Sequence, residues 1–145
     1  MDSKGLSYKL KEFYLLEVLQ VKYYTAMLSE TQDEYYHRAF KKMVKTEKGH
    51  ADYFARKMKA EGVDPPQVIE PLFKMAGRFL GEAAELTGPY NTCRLGVALE
   101  SKASEMYRDF IVKGWGEQEL RDTLMDHLLD EEYHALWMRD YMRHL

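Results

Sequence analysis

The stretch Glu47-Lys48-Gly49-His50-Ala51 returns 84 residues later as Glu131-Glu132-Tyr133-His134-Ala135. In each copy a glutamate and a histidine stand three positions apart, which on an α-helix puts both side chains on one face, about one turn from each other. Each copy also has a forerunner. Glu17 lies 30 residues before Glu47, Glu100 lies 31 residues before Glu131, and a tyrosine follows each lone glutamate seven positions on, Tyr24 and Tyr107. The chain therefore carries one design twice. With a hairpin turn midway in each copy, a rise of about 1.5 Å per residue brings the paired glutamates to equal height on adjacent antiparallel helices.

Working outward from these stretches, apolar residues recur at three- and four-residue steps and predict helices. The first covers about Ser7 to Ser29 with Leu10, Phe13, Tyr14, Val21, Tyr24 and Leu28 on the stripe that holds Glu17. Thr31 and Glu34 have the spacing of a capping box and open a second helix. Its stripe of Tyr36, Phe40, Met43, Val44, Ala51, Phe54 and Met58 includes Glu47 and His50, and Gly62 and Asp64-Pro65-Pro66 stop it. Pro71 to Leu86 predicts a short amphipathic helix inside a long connection, closed by Gly88-Pro89. The third long helix is expected from about Asn91 to Lys113, with Val97, Glu100, Ala103, Tyr107, Phe110 and Ile111 inward. After the turn Gly114-Trp115-Gly116, the fourth runs from Glu117 to Arg143 with Leu120, Leu124, Leu128, Glu131, His134, Ala135, Met138 and Met142 in line. The expected fold is all-α: a ferritin-like four-helix bundle of two antiparallel hairpins joined by a long crossover.

Four carboxylates and two imidazoles on inward stripes are costly unless positive charge sits among them, because an uncompensated buried carboxylate takes up a proton instead. Two divalent cations would supply four positive charges. A single Glu-x-x-His is a common accident on charged helices, whereas two mirrored ones, each with an inward glutamate at matched distance, are not. The candidate metal ligands are Glu17, Glu47, His50, Glu100, Glu131 and His134, with the lone glutamates Glu17 and Glu100 free to bridge or chelate. Carboxylate and imidazole donors suit iron or manganese and leave open coordination positions, whereas a closed structural zinc site would bring thiolates. Around them, Asp130 is placed to accept the proton of His50 from the facing hairpin and fix its tautomer. Thr46 occupies the matching place in the first copy, so the two metals are expected to be held unequally. Tyr24 and Tyr107 read as core aromatics with a candidate role in hydrogen bonding or electron transfer. His127, one turn before Glu131, is a candidate outer group or extra ligand without a counterpart.

Bulk properties narrow the field. The 145 residues suit a single domain over 1–145; 46% are apolar and 31% charged, and the net charge is −3. There is no basic face for nucleic acid and no polybasic segment for anionic lipid. Cys93 is the one cysteine; it reads as a buried thiol, with neither disulfide framework nor CxxC pair. A reducing, cytoplasmic setting is expected, without export signal or membrane span.

At these residues the sequence resembles the ferritin-like di-iron carboxylate superfamily, and its rubrerythrin-like branch in particular. The likeness rests on the Glu17 to Tyr24 segment, Glu47-x-x-His50 with Ala51, Glu100 to Tyr107, and Glu131-x-x-His134 with Ala135. It departs from rubrerythrins in lacking the paired CxxC motifs of an appended rubredoxin domain, and in carrying Val97 and Ala103 where they have an extra glutamate one turn from the third-helix ligand. The resemblance implies two iron ions and an oxidoreductase that reduces peroxide or dioxygen with electrons from a separate donor protein, acting as a homo-oligomer, a dimer. Two other readings are consistent with the same ligands: ferritin-type oxidation and storage of iron, and hydroxylation of an organic, quinone-like substrate.

Overall fold

The computed structural model describes residues 1–28, 33–64 and 88–145. Within them lie four helices, α1 (Ser3–Leu28), α2 (Glu34–Ala60), α3 (Pro89–Val112) and α4 (Gln118–Arg143), and no strand. The short helix expected over Pro71 to Leu86 falls outside the described residues, as do Thr31 and the Pro65-Pro66 stop.

Helix ends differ from the sequence expectation where local hydrogen bonding decides them. α1 begins at Ser3, earlier than Ser7, because Asp2 caps it: its carboxylate accepts from the Gly5 amide at 2.7 Å. α2 is capped by Asp33, whose Oδ1 accepts from the amides of Tyr35 and Tyr36 at 2.9 and 3.2 Å. Pro89 opens α3, where its missing N–H would have had no partner and its fixed φ suits the first turn; the segment that Gly88-Pro89 was expected to close lies outside the described residues. α2 and α3 end alike. Gly62 and Gly114, at φ 70° and 69°, adopt the left-handed conformation that side chains resist. In both, the next residue's amide reaches back to the helix, Val63 to Met58 at 2.8 Å and Trp115 to Phe110 at 3.4 Å.

α1 packs along α2 and α3 along α4, and the two hairpins meet through α1 against α3 and α2 against α4. Tyr23 at the end of α1 donates to the Thr92 carbonyl at the start of α3 (2.6 Å), and Tyr141 at the end of α4 donates to Asp33 ahead of α2 (2.8 Å). Both cross-hairpin pairs are therefore antiparallel. Two apolar clusters fill the interior. One holds Leu10, Phe13, Phe54, Met58, Phe110 and Leu124, the other Tyr23, Tyr36, Phe40, Met43, Cys93 and Met138. Each fully buried large side chain contributes roughly 1.5–3 kcal/mol. Between the clusters sits a polar layer. At the second cluster α3 and α4 approach closely at Gly96, where a Cβ would stand 2.5 Å from the Met138 sulfur.

Candidate metal centre

Each helix contributes to the polar layer: α1 brings Glu17, α2 Glu47 and His50, α3 Glu100, α4 Glu131 and His134. The four glutamates have no solvent exposure and the histidines almost none. The donor atoms gather into two groups, Glu17, Glu47, His50 and Glu131, and Glu47, Glu100, Glu131 and His134, with every atom in a group within 4.8 Å of the others. Glu47 and Glu131 belong to both groups. The glutamates that can bridge are thus those of the two Glu-x-x-His motifs, while Glu17 and Glu100, expected from sequence to be free to bridge, stand at the two ends.

Chemistry agrees with cation binding. Glu17 Oε2, Glu47 Oε2 and Glu100 Oε2 are buried without any hydrogen-bond partner, which is expensive for a carboxylate unless a cation completes it. Burial, reinforced by the charge of Glu131, pushes the Glu17 carboxyl up to about 7. Burial likewise drives Glu47 and Glu100 well above the usual range, with Glu131 adding to both. At Glu131 burial also pushes upward, but hydrogen bonds from Glu100 and His50 outweigh it and hold the group below its ordinary value. The Nδ1 of His50 lies 3.1 Å from Glu131 and 3.2 Å from Glu47. The Nδ1 of His134 lies 2.8 Å from Glu47 and 3.1 Å from Glu100. Both imidazoles therefore turn the same nitrogen inward.

The surroundings are organised across the halves. Tyr24 of the first copy donates to Glu100 of the second at 2.5 Å, and Tyr107 of the second donates to Glu17 of the first. These phenols hold the end glutamates in place and leave one oxygen of each free. Asp130 accepts from His50 Nε2–H at 2.8 Å, which assigns that proton and aims Nδ1 at the centre. Burial works against a charged His50, but Asp130, Glu131 and Glu17 together raise it to about 12. His127 belongs to neither ligand group. Its ring stacks on His50 with centroids 3.8 Å apart, and burial followed by the His50 charge lowers it to about 3, keeping it neutral. One neighbour was not singled out from the sequence: buried Gln20, whose amide donates to Glu131 Oε2 at 2.9 Å. Its position between Glu17 and Tyr24, three residues after one and four before the other, was the available signal. Cys93 is buried, and burial pushes its thiol up to about 12.

A bundle of two helical hairpins that sets four glutamates and two histidines in a buried layer, with two of the glutamates common to both halves, defines a ferritin-like di-iron carboxylate protein. The sequence model described as "Ubiquinone biosynthesis protein COQ7" matches residues 17–136, from Glu17 to just beyond His134, and the chain belongs to that family. The family is one of enzymes with a di-iron centre. No curated protein matches the chain. The match bears out the ferritin-like di-iron superfamily; it does not confirm the rubrerythrin branch that the resemblance implied. No helix among the described residues is long and apolar enough to cross a membrane.

Proposed function

We propose that the protein is a di-iron hydroxylase that inserts one oxygen atom into a quinone-like ring, with Glu17, Glu47, His50, Glu100, Glu131 and His134 holding two iron ions. The observation that carries this reading is the family match across the whole ligand span, together with a donor set that fits two cations. The iron pair would supply the two-electron chemistry with dioxygen. Overall, a ring C–H, dioxygen, two electrons and two protons give a ring C–OH and water, the electrons coming from an external reductant. The chain's own residues hold the ligands. Asp130 fixes the His50 tautomer, Gln20 orients Glu131, and Tyr24 and Tyr107 fix the end carboxylates.

An apolar ring needs a way in. A groove of about 810 Å³ runs along α1 and α3, with Leu15, Leu16 and Met106 in its wall and Lys9, Lys11 and Lys102 among its polar residues. Its size suits a small organic ligand. Leu16 and Met106 are the chain neighbours of Glu17 and Tyr107, so the groove runs along the same turns of α1 and α3 that carry those two residues. Peroxide or dioxygen reduction without an organic substrate is the competing reading of the same ligands. Mixing the reduced, iron-loaded protein with a quinol bearing a free ring position and isotopically heavy dioxygen separates them. Label in the ring of the product supports hydroxylation; oxygen uptake with label only in water or peroxide refutes it. Met106→Trp should raise KM for the quinol while leaving iron content unchanged.

A further inference from the structure

Tyr24, whose hydroxyl donates to Glu100 at 2.5 Å, meets the Phe40 ring edge-on with centroids 5.4 Å apart. Phe40 in turn meets Trp137 at 6.0 Å, and Trp137 lies flat on Tyr141 at 5.2 Å and against Tyr35 at 5.6 Å. A parallel branch runs from Phe40 to Tyr36 at 4.2 Å and from Tyr36 to Tyr141 at 5.3 Å. The series of rings starts at a candidate ligand with no solvent exposure and ends in water. Trp137 and Tyr141 are half-buried, Tyr35 is 62% exposed, and Trp137 walls an open hollow of about 300 Å³.

Packing alone accounts for ring contacts of this kind, but not for the polar groups at the two ends. Both terminal tyrosines donate to carboxylates, Tyr24 to Glu100 and Tyr141 to Asp33 Oδ2 at 2.8 Å. A phenol gives up an electron readily only when its proton has somewhere to go, and each end has such a place. The Tyr141 hydrogen bond holds the Asp33 carboxyl below its ordinary value, so it stands ionised as an acceptor. The Glu17 end of the centre is built differently. Tyr107 touches Phe13, Phe54 and His127, none of them easily oxidised. Tyr53 lies beyond Phe54, but its buried hydroxyl has no partner to take a proton. Trp115 stands beyond both Phe13 and Phe110, with the ammonium groups of Lys113 and Lys9 over its ring at 4.7 and 5.9 Å. Positive charge on a ring face opposes removal of an electron from it.

We propose that Tyr24, Trp137 and Tyr141 form a path that delivers electrons to the centre when dioxygen is consumed with no quinol in place. The path rests on the reading of the polar layer as a dioxygen-reducing iron centre. Tyr24 gives one electron to the oxidised iron pair, and its phenolic proton passes to Glu100 Oε1. Trp137 refills Tyr24 across Phe40, the proton returns, and the indole is left as a radical cation. Tyr141 refills Trp137, its own proton moving to Asp33. A small external reductant such as ascorbate then supplies one electron at the surface, and Asp33 hands the proton back. The net change is one electron from reductant to centre, with every residue restored.

Mixing the reduced, iron-loaded full chain with dioxygen in the absence of quinol and of ascorbate tests the path. Absorbance follows the iron, freeze-quench electron paramagnetic resonance detects radicals, and a spin trap with peptide mass spectrometry places them. Adducts are expected on Tyr35 and Tyr141. None is expected on Tyr8, Tyr90 or Tyr133, which are comparably exposed but touch no other ring among the described residues. Trp137→Phe with Tyr36→Phe keeps every ring and removes both oxidisable links. It should abolish the surface adducts and prolong the radical at Tyr24, with iron content and helical circular dichroism unchanged. Tyr35→Phe with Tyr141→Phe should instead leave a radical of indole character on Trp137. Adducts that persist in the first pair, or that spread equally over Tyr8, Tyr90 and Tyr133, would overturn the path and leave the reading of the centre standing. Iron that dioxygen fails to oxidise would overturn both.

Discussion

The two halves of the centre share their ligands in type and spacing but not their surroundings. At the first position His50 is held by Asp130 at 2.8 Å and covered by the His127 ring, and Gln20 of α1 reaches Glu131. At the second, His134 has Thr46 where His50 has Asp130, Met43 where His50 has His127, and Ala103 where the first half has Gln20. Thr46 spends its hydroxyl on the Lys42 carbonyl within α2. The consequence is electrostatic: in the metal-free protein His50 keeps a proton among the carboxylates, raised to about 12, whereas burial lowers His134. The repeat keeps the six candidate ligands and lets the outer layer differ, so the two candidate metal positions would be chemically unequal.

The largest test of that contrast removes what the halves share. Glu47→Ala or Glu131→Ala takes a ligand from both groups and should leave the protein nearly free of iron. Glu17→Ala or Glu100→Ala should retain about one iron of the two the family's centre implies. Metal analysis by plasma mass spectrometry distinguishes these patterns, and equal losses from all four variants would break the assignment of Glu47 and Glu131 as the common pair.

Next in size is pH. Glu17, raised to about 7 from 4.5, Glu47 and Glu100, raised well above it, and His50, raised to about 12 from 6.5, all bind protons more tightly in the folded metal-free protein than in the unfolded chain. Their stabilisation is complete below the unfolded values and is lost as pH climbs through the folded ones. His127 and His134 have lowered values and act in the opposite sense, but only below 6.5. Metal-free protein should therefore lose stability between about pH 6.5 and 8.5, read as a falling urea midpoint, whereas cation-loaded protein should not. A metal-free midpoint that rises over this window would contradict the buried carboxylate layer.

Asp130→Ala should weaken the first position alone, by about 10- to 100-fold in metal affinity, and bring it toward the second. Thr46→Asp should act in the opposite sense on the second position; isothermal titration resolves both. If Asp130→Ala weakens the two positions equally, the asymmetry is not set by this contact. Gln20→Leu is the mildest change, removing one hydrogen bond to Glu131 at a cost of about 1 kcal/mol, with a small fall in thermal midpoint and iron retained.

How much of this was legible in the sequence follows from the range over which each feature is determined. Glu47 and His50, or Glu131 and His134, share a face because three residues span most of a helical turn, a local fact that the letters carry. The stripes of Phe40, Met43 and Phe54, or of Leu120, Leu124 and Leu128, are local in the same way. Helix starts were less legible, since Asp33 and Pro89 act through the conformation of one or two residues, and neighbours such as Thr31 and Glu34 offered an equally plausible cap. The crossing of Tyr24 to Glu100 and of Tyr107 to Glu17 was not legible at all, because it joins groups 76 and 90 residues apart.

By itself, then, the sequence determined the four helices, the duplication and the six candidate ligands that the fold gathers into one buried layer, all of which follow from helical periodicity and the cost of burying charge. Only the packing of one hairpin on the other decided which glutamates are common to both donor groups, which tyrosine serves which carboxylate, and which histidine gains a second partner. Periodicity fixes the face a side chain occupies on its own helix. What that face meets depends on the rotation and height at which helices distant in sequence come together.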